Sequence, residues 1–502
     1  MTIEKRATAG SMAGVAGVAL NLIQSLLLVP LLLSVWSAET YGLWMAVGAV
    51  VALLISFDTG HQNYLGNVFN RQWVEDKVAL AETVRSGIRA AAVIAIIELL
   101  VGLAIIVSRR LDLVPGLSEK SAVGVAGAVT LNLVFWVLNG SIGGVLVRLY
   151  APAGLYAWAQ WQGNIYRLAG FLAVVVAVSA GASIFVAMLA QVLTWSTFNI
   201  FTFWELRRRF PEVHPWWRGG RWSLAWTNFR ASLLLTIIGV VEQAASIGLV
   251  LFVGHTLNPL SVALFTTVRT VANIGLQGST IMISPMAPDM VRYHVSGEGG
   301  KLVAVFSTSW LLGTSLVTAG LTVGVLVVEP LYTLWTRGAL ALDRQLLAFL
   351  CIAVAVRQWA APFQTYLAGM NRLRTQSVMA GVRAALGLGL AALLLPQWGL
   401  PAAGLGALAA ELGAAIVAVV AVCPQLRAFG ATFPAKASIC SLVQIVAAGA
   451  VWISYSTGVP GWPVGTVFSL GLIGVLAWRQ WQVLPGEVRV RLLGLLRRPI
   501  ST

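Results

Sequence analysis

Runs of about twenty mostly apolar residues recur along the chain, and each is long enough to cross the hydrocarbon core of a bilayer as a helix. They fall at 12–34, 41–58, 88–108, 123–147, 155–178, 183–203 and 231–253, then at 260–284, 302–328, 345–368, 375–395, 400–423, 436–455 and 463–482. The pattern predicts an all-α polytopic membrane protein of about fourteen transmembrane helices. The first run starts near the N-terminus but is too long for the apolar stretch of a signal peptide, so it is expected to be retained.

Charge then orients the helices. With the N-terminus inside, the internal segments hold most of the basic residues, among them Lys5-Arg6, Arg207-Arg208-Arg209, Arg372, Arg374 and Arg497-Arg498. The external segments hold only Arg109, Arg110, Lys120, Arg337 and Arg344. Basic residues accumulate in cytoplasmic loops, so both termini are expected in the cytoplasm.

The longest interruption, Glu205–Arg230, carries the arginine triplet and Trp216-Trp217, which suit an interfacial belt. It divides the chain into an N-lobe at 1–203, a basic cytoplasmic linker at 204–230 and a C-lobe at 231–430. Two further spans and a basic cytoplasmic tail at 431–502 complete the expected organisation. A faint repeat supports two pseudo-symmetric six-helix lobes: a shift of 221 residues sets Asn21 on Glu242, Ser25 on Ser246 and Leu43-Trp44 on Leu264-Phe265. Repeats with an even number of spans share one orientation, a common transporter plan.

Composition narrows the function. Hydrophobic residues make up 58% of the 502-residue chain and charged residues 10%, against about 25% charged in soluble domains. That excludes a disordered chain, a collagen-like fibre or a disulfide scaffold, and argues against a large soluble catalytic domain. The net charge of +15 follows from the loop bias, so no nucleic-acid partner is expected. Cys351, Cys423 and Cys440 fall in or beside apolar runs, and His61, His214, His255 and His294 are dispersed, so no metal site or cofactor is expected. No HExxH, GxSxG or Walker A motif occurs. Gly387–Gly389 and Gly404–Gly406 sit in apolar runs and suit helix packing. The external loops Arg109–Ala122 and Glu329–Arg344 are too short for the catalytic loops of glycan polymerases, so the protein is expected not to be an enzyme.

Charged residues at membrane depth cost about 2.5–3.5 kcal/mol on insertion scales and usually face a cavity or a partner. Glu98, Arg167, Glu242, Arg269, Arg357 and Glu411 lie in the apolar runs. Polar neighbours share their helix faces: Arg269, Asn273 and Gln277 follow i, i+4, i+8, and Arg357 and Gln364 are seven apart. Asn21, Gln24 and Ser25, and Asn132, Trp136 and Asn139, form similar stripes. A wet central cavity is the expectation, the alternative being buried pairs such as Glu242 with Arg269. Asp58 and His61 are expected to end the second span at the cytoplasmic surface.

Guanidinium groups bind phosphate bidentately and stay protonated, so Arg269 and Arg357 favour a phosphate-bearing substrate. Amides and tryptophan suit sugar hydroxyls and rings. The candidate substrate-binding residues are therefore Arg269, Arg357, Asn273, Gln277, Gln364, Asn21, Gln24, Asn132 and Asn139, with Glu242, Glu411 and Asp58 as coupling or gating groups.

Ala38-Glu39-Thr40-Tyr41-Gly42-Leu43-Trp44, with Phe57-Asp58-Thr59-Gly60 and Asn63, resembles the start of polysaccharide flippases. These form the O-antigen and exopolysaccharide branch of the multidrug/oligosaccharidyl-lipid/polysaccharide exporter superfamily. A second likeness runs from Asn258 through Phe265 to Pro285, similar to the family's eighth span. The resemblance implies a V-shaped bundle working by alternating access. Its cargo would be an oligosaccharide on undecaprenyl pyrophosphate, with Arg269 as the pyrophosphate contact. Lipid II flippases carry arginines in the first span, where this chain has Asn21 and Gln24, which points away from a peptidoglycan precursor. The implied partners are that lipid carrier, membrane lipids, a coupling cation (H+ or Na+) and a glycan polymerase. Two alternatives stay open: a cation-coupled multidrug-type exporter of the same superfamily, and a membrane glycosyltransferase or polymerase.

Overall fold

The structure is a computed structural model that describes residues 3–108, 119–283, 286–370, 372–428, 432–486 and 489. Arg109 and Arg110 of the expected first external loop, Pro285 of the second resemblance, and the tail residues Arg491, Arg497 and Arg498 lie outside the described residues, as do the side chains of Lys5, Arg6 and Lys120. Among the described residues, thirteen helices are long and apolar enough to cross a membrane, and a helix pair bent by 41° makes a fourteenth. All fourteen expected runs are met by these helices, and no strand occurs among the described residues.

The chain forms two compact units, Met1–Thr266 with Trp335–Leu340, and Thr267–Leu334 with Ala341–Thr502. The pseudo-symmetric lobes at 1–203 and 231–430 concern internal repetition and are a different partition from these units.

The first unit holds α1 (Ile3–Leu32), α2 (Ala38–Glu75), α3 (Lys77–Val107), α4 (Glu119–Phe135), α5 (Ile142–Val147), α6 (Tyr156–Ser179), α7 (Ile184–Arg209) and α8 (Trp222–Thr256), with the first turns of α9 (Pro259–Ile283). Local chemistry sets the helix ends. The Ser37 hydroxyl accepts the Thr40 amide at the start of α2, and the Asp76 carboxylate accepts the amides of Val78 and Ala79, so α2 turns directly into α3. The α4–α5 bend coincides with a π-helical turn at Trp136–Ser141, a known cause of kinks. Absent side chains let helices meet. A Cβ on Gly60 would lie 2.3 Å from the Thr236 Cα, which fixes α2 against α8. A core of Leu65, Phe69, Val84, Leu146, Tyr150 and Phe210 closes one end of this unit.

The second unit holds the rest of α9, then α10 (Ala287–Val295), α11 (Gly299–Ser309), α12 (Ser315–Trp335, up to Leu334), α13 (Arg344–Gly369), α14 (Leu373–Trp398), α15 (Leu400–Ala428), α16 (Ala435–Ser456) and α17 (Trp462–Val483). Gly399, at φ 64°, ends α14 and admits α15 at the next residue, a left-handed turn that glycine adopts at little cost. A Cβ on Gly406 would sit 2.7 Å from the Gly387 carbonyl oxygen, so one glycine of each pair expected to pack helices lies at this close α14–α15 contact, whereas a Cβ on Gly404 would meet Leu346 and Phe349 of α13 and one on Gly389 nothing within 4 Å. The core is aromatic: Phe306, Trp310, Phe363 and Tyr366 interlock at ring separations of 5.4–6.1 Å.

Three expected segments are corrected. Helix α2 continues to Glu75, so Asp58 and His61 are fully buried mid-helix residues and end nothing. The polar interruption shrinks to 210–221, because α7 includes Glu205 and α8 includes Arg230. The loop expected from Glu329 begins after Trp335, since α12 runs through Pro330. One cause serves all three. Apolarity marks the stretch that can face lipid, whereas backbone hydrogen bonding continues a helix through polar residues that find partners. Glu329 illustrates this: its carboxylate accepts Arg344 at 2.6 and 2.9 Å and the Tyr455 hydroxyl at 2.9 Å.

The remaining polar segment is docked on α3. Arg85 donates to the carbonyls of Glu212 and Val213, Arg221 pairs with Glu82, and Gly220 fits closely against the Arg85 backbone.

Candidate functional site

In the second unit the predicted charged residues converge. Helix α9 carries Arg269 and α13 carries Arg357, with Glu411 on α15 between arginines. Arg357 Nη1 lies 3.8 Å from Glu411 Oε1, and Arg383 of α14 approaches Glu411 Oε2 at 3.2 Å through both Nε and Nη2. Arg269 lies within electrostatic reach of both Arg357 and Glu411. Arg357 and Arg383 thus both reach one carboxylate, with Arg269 within electrostatic reach of it. The Arg383 and Glu411 side chains are each 13% exposed while Arg357 is 55% exposed, so Arg357 is the more accessible of the two guanidinium groups on this carboxylate.

Amides share this unit. Gln277 lies two turns from Arg269 on α9, and Gln364 lies on α13 seven residues after Arg357. Gln277 Oε1 and Gln364 Nε2 are buried without a hydrogen-bond partner, which leaves them able to accept and to donate towards a guest. Asn273 is half-buried on the same α9 face.

Arg383 escaped the sequence reading. Its signal was available, an arginine midway along the 375–395 run, but its role depends on α14 and α15 packing antiparallel through their glycines, which spacing along one helix does not display.

The predicted residues of the first unit fall in different places. Asn21 is exposed, and Gln24 donates to the Arg167 carbonyl at 3.2 Å, while Arg167 donates to Asn164 at 2.8 Å. Asn132 is buried but spends its amide on the Ala128 carbonyl of its own helix at 3.0 Å. Glu242 is exposed, among buried and half-buried residues of its α8 face.

Asp58 belongs to a buried polar cluster. Its Oδ2 accepts Gln62 Nε2 at 2.8 Å, His61 Nδ1 is 3.0 Å from the Ser232 hydroxyl, and Glu98 lies within electrostatic reach of Asp58 and Trp136. Asp58 Oδ1, His61 Nε2 and both Glu98 carboxylate oxygens have no hydrogen-bond partner, an arrangement costly to bury. Among the described residues, no group of three or more His, Cys, Asp or Glu side chains is placed to hold a metal ion.

Beside this cluster, a cavity of about 400 Å³ opens between α5, α6 and α7. Gln62, Asn139, Arg148, Trp158, Gln162 and Tyr166 are among its walls. Glu205, almost fully buried behind it, orders that wall by accepting from Tyr150 at 2.8 Å, Trp158 at 2.9 Å, Gln162, and Arg209 at 2.6 Å. Of the nine substrate-binding candidates, Asn139 is the one placed on this cavity.

No family model matches the chain, and no curated protein matches it. Solved structures do share its fold. An inward-facing multidrug resistance MATE family transporter of the MOP superfamily aligns with TM-score 0.68 and 13% identity over 82% of this chain and 95% of that one. The lipid II flippase MurJ in an inward closed conformation aligns with TM-score 0.66 and 10% identity over 94% and 98%. A MOP superfamily transporter from Pyrococcus furiosus, described as having a binding pocket of reversed polarity, aligns with TM-score 0.59 and 13% identity over 85% and 97%. The neighbours are transporters and flippases, and the likeness covers nearly all of each.

Proposed function

We propose that the protein is a flippase without enzymatic activity that moves an undecaprenyl-pyrophosphate-linked oligosaccharide across a bacterial inner membrane by alternating access, with both termini in the cytoplasm. Such a step serves O-antigen or exopolysaccharide synthesis. The observation that carries this reading is the cluster of Arg269, Arg357 and Arg383 around the single carboxylate of Glu411. Its guanidinium groups suit a pyrophosphate, whose paired oxygens match their planar geometry. In this reading Arg269 and Arg357 bind the pyrophosphate, Asn273, Gln277 and Gln364 contact sugars, and Glu411 offsets the repulsion between the arginines. Glu242 and Asp58 bias the two conformations, which requires affinities that differ between them. The pseudo-symmetric lobes are part of this proposal.

The test replaces Arg269 and Arg357 separately with alanine. Each loses a charge-assisted bond of about 1.5–3 kcal/mol, roughly ten- to a hundredfold in affinity for undecaprenyl pyrophosphate. Surface glycan export should fall while protein levels hold. Normal export by both variants rules the anchor out.

One observation favours a second reading, a cation-coupled small-molecule exporter. Asp58 and Glu98 are buried together with unsatisfied oxygens, as carboxylates that take up a proton or Na+ would be. Changed drug resistance in a deletion strain with intact surface glycan would select it.

A further inference from the structure

The cavity of the first unit belongs to neither argument above, and its walls have a chemistry of their own. Four carboxamides line it, those of Gln62, Asn139, Gln162 and Asn199, together with the Arg148 guanidinium. Aromatic rings share the rest of the wall with Val147, Ala159, Ile165, Thr202 and several glycines: Trp158 is held by its indole bond to Glu205, and Tyr166 stacks on Trp195 with centroids 5.1 Å apart and planes 7° from parallel. No aspartate or glutamate is among the lining residues.

Each class of guest meets these walls differently. A lipophilic cation needs a carboxylate and finds arginine instead. Gln62, Gln162 and Arg148 keep bonds to Asp58, Glu205 and Asn63, but an acyl chain would leave their remaining donors and acceptors in apolar contact, at about 1–3 kcal/mol for each one unmet. A sugar ring satisfies both parts, since its hydroxyls exchange hydrogen bonds with carboxamides and its C–H faces lie on aromatic rings. The volume, about 400 Å³, is within the usual range for small-ligand sites, about 300–1,000 Å³.

The walls are also ordered before any guest arrives. Glu205 fixes Trp158 and Gln162, and Asp58 anchors Gln62 at 2.8 Å. Gly144 makes room for Gln62, because a Cβ there would lie 2.1 Å from the Gln62 Oε1 atom. Walls held in this way lose little side-chain entropy on binding.

We propose that this cavity is a saccharide-binding site that recognises one or two uncharged sugar rings of the transported glycan. The proposal rests on the flippase reading and adds to it that glycan recognition is built into the first unit, on residues distinct from the arginine cluster.

Gly163 supplies the test. It lines the cavity, and a Cβ there would meet nothing within 4 Å, so Gly163→Leu fills the site without forcing the helix apart. The full-length protein in lipid nanodiscs is titrated with chitobiose, lactose and rhamnose by saturation-transfer NMR, with undecaprenyl pyrophosphate, and with tetraphenylphosphonium. At least one saccharide should bind the wild type, and about tenfold or more weaker to Gly163→Leu and Trp158→Ala. Undecaprenyl pyrophosphate should bind both variants as it binds the wild type, which also shows that they fold, whereas Arg269→Ala should lose the lipid and keep the sugar. Saccharide binding unchanged in Gly163→Leu, no saccharide binding at all, or tetraphenylphosphonium binding that Gly163→Leu removes each overturns the proposal and leaves the arginine anchor standing. Failure of the wild type to bind undecaprenyl pyrophosphate overturns the flippase reading and this proposal together.

Discussion

Arg383 of α14 donates through Nε to Glu411 Oε2 of α15 at 3.2 Å, and both side chains are 13% exposed. Arg357 reaches the other oxygen of the same carboxylate only at 3.8 Å and is 55% exposed. One glutamate therefore has a close, largely buried partner and a looser, more exposed one.

Removing the two partners should have unequal effects. Arg383→Ala leaves the Glu411 carboxylate largely buried beside a more distant arginine and is expected to destabilise by about 3 kcal/mol or more, the lower end for broken buried pairs. Arg357→Ala breaks an exposed contact, expected to be worth at most about 1 kcal/mol, and should show its effect in substrate binding instead. Thermal unfolding of the purified variants distinguishes the two, and equal losses of stability would contradict this division.

The contact of Gly60 with Thr236 is tight enough to be tested with one methyl group. A Cβ at Gly60 would lie 2.3 Å from the Thr236 Cα, and backbone cannot swing aside as a flexible side chain can. Gly60→Ala is expected to cost about 1–3 kcal/mol or to displace α8. Gly239→Ala, where a Cβ meets nothing within 4 Å, is the control and should be neutral or slightly stabilising through helix propensity. If the two substitutions behave alike, the α2–α8 packing described above is wrong.

Glu205 accepts from four side chains at once, those of Tyr150, Trp158, Gln162 and Arg209. Glu205→Ala orphans the buried Tyr150 hydroxyl and the half-buried Gln162 amide at about 1–3 kcal/mol for each group left unsatisfied, whereas Trp158 and Arg209 are each 41% exposed and can turn to solvent. It should lower stability by several kcal/mol and loosen the cavity wall. Glu205→Gln keeps an acceptor oxygen and should retain part of both. Hydrogen exchange along 156–170 is the measurement, and protection there in Glu205→Ala equal to the wild type would remove the hub from the account.

His294 lies in α10, between the membrane-crossing helices, with Nδ1 2.7 Å from the Tyr366 hydroxyl. Partial burial, and then the nearby Arg372 charge, hold its imidazole below the ordinary value of 6.5. The unfolded chain therefore takes up a proton at a pH where the folded protein still resists it. Stability from this group is complete above pH 6.5 and declines as the pH falls through that value towards the lower folded pKa. His294→Gln should remove that component. The check is the melting temperature of both proteins between about pH 8 and 5.5, and identical slopes would show that His294 contributes none of it.

Transmembrane character, the number of crossings and their approximate limits were legible in the sequence, because the cost of placing a polar group in hydrocarbon is local and marks each run residue by residue. Arg269, Asn273 and Gln277 were likewise legible as one face, since helical periodicity alone places them. What periodicity does not carry is which faces meet. That Glu411 takes Arg383 as its near partner, that Asp58 and Glu98 share one buried cluster, and that Asn139 joins Trp158 and Tyr166 around a cavity while Asn132 turns back on its own helix, all depend on close approaches such as Gly406 on Gly387 and Gly60 on Thr236. Those approaches are set by the shapes of two surfaces at once, and no single stretch of sequence contains both.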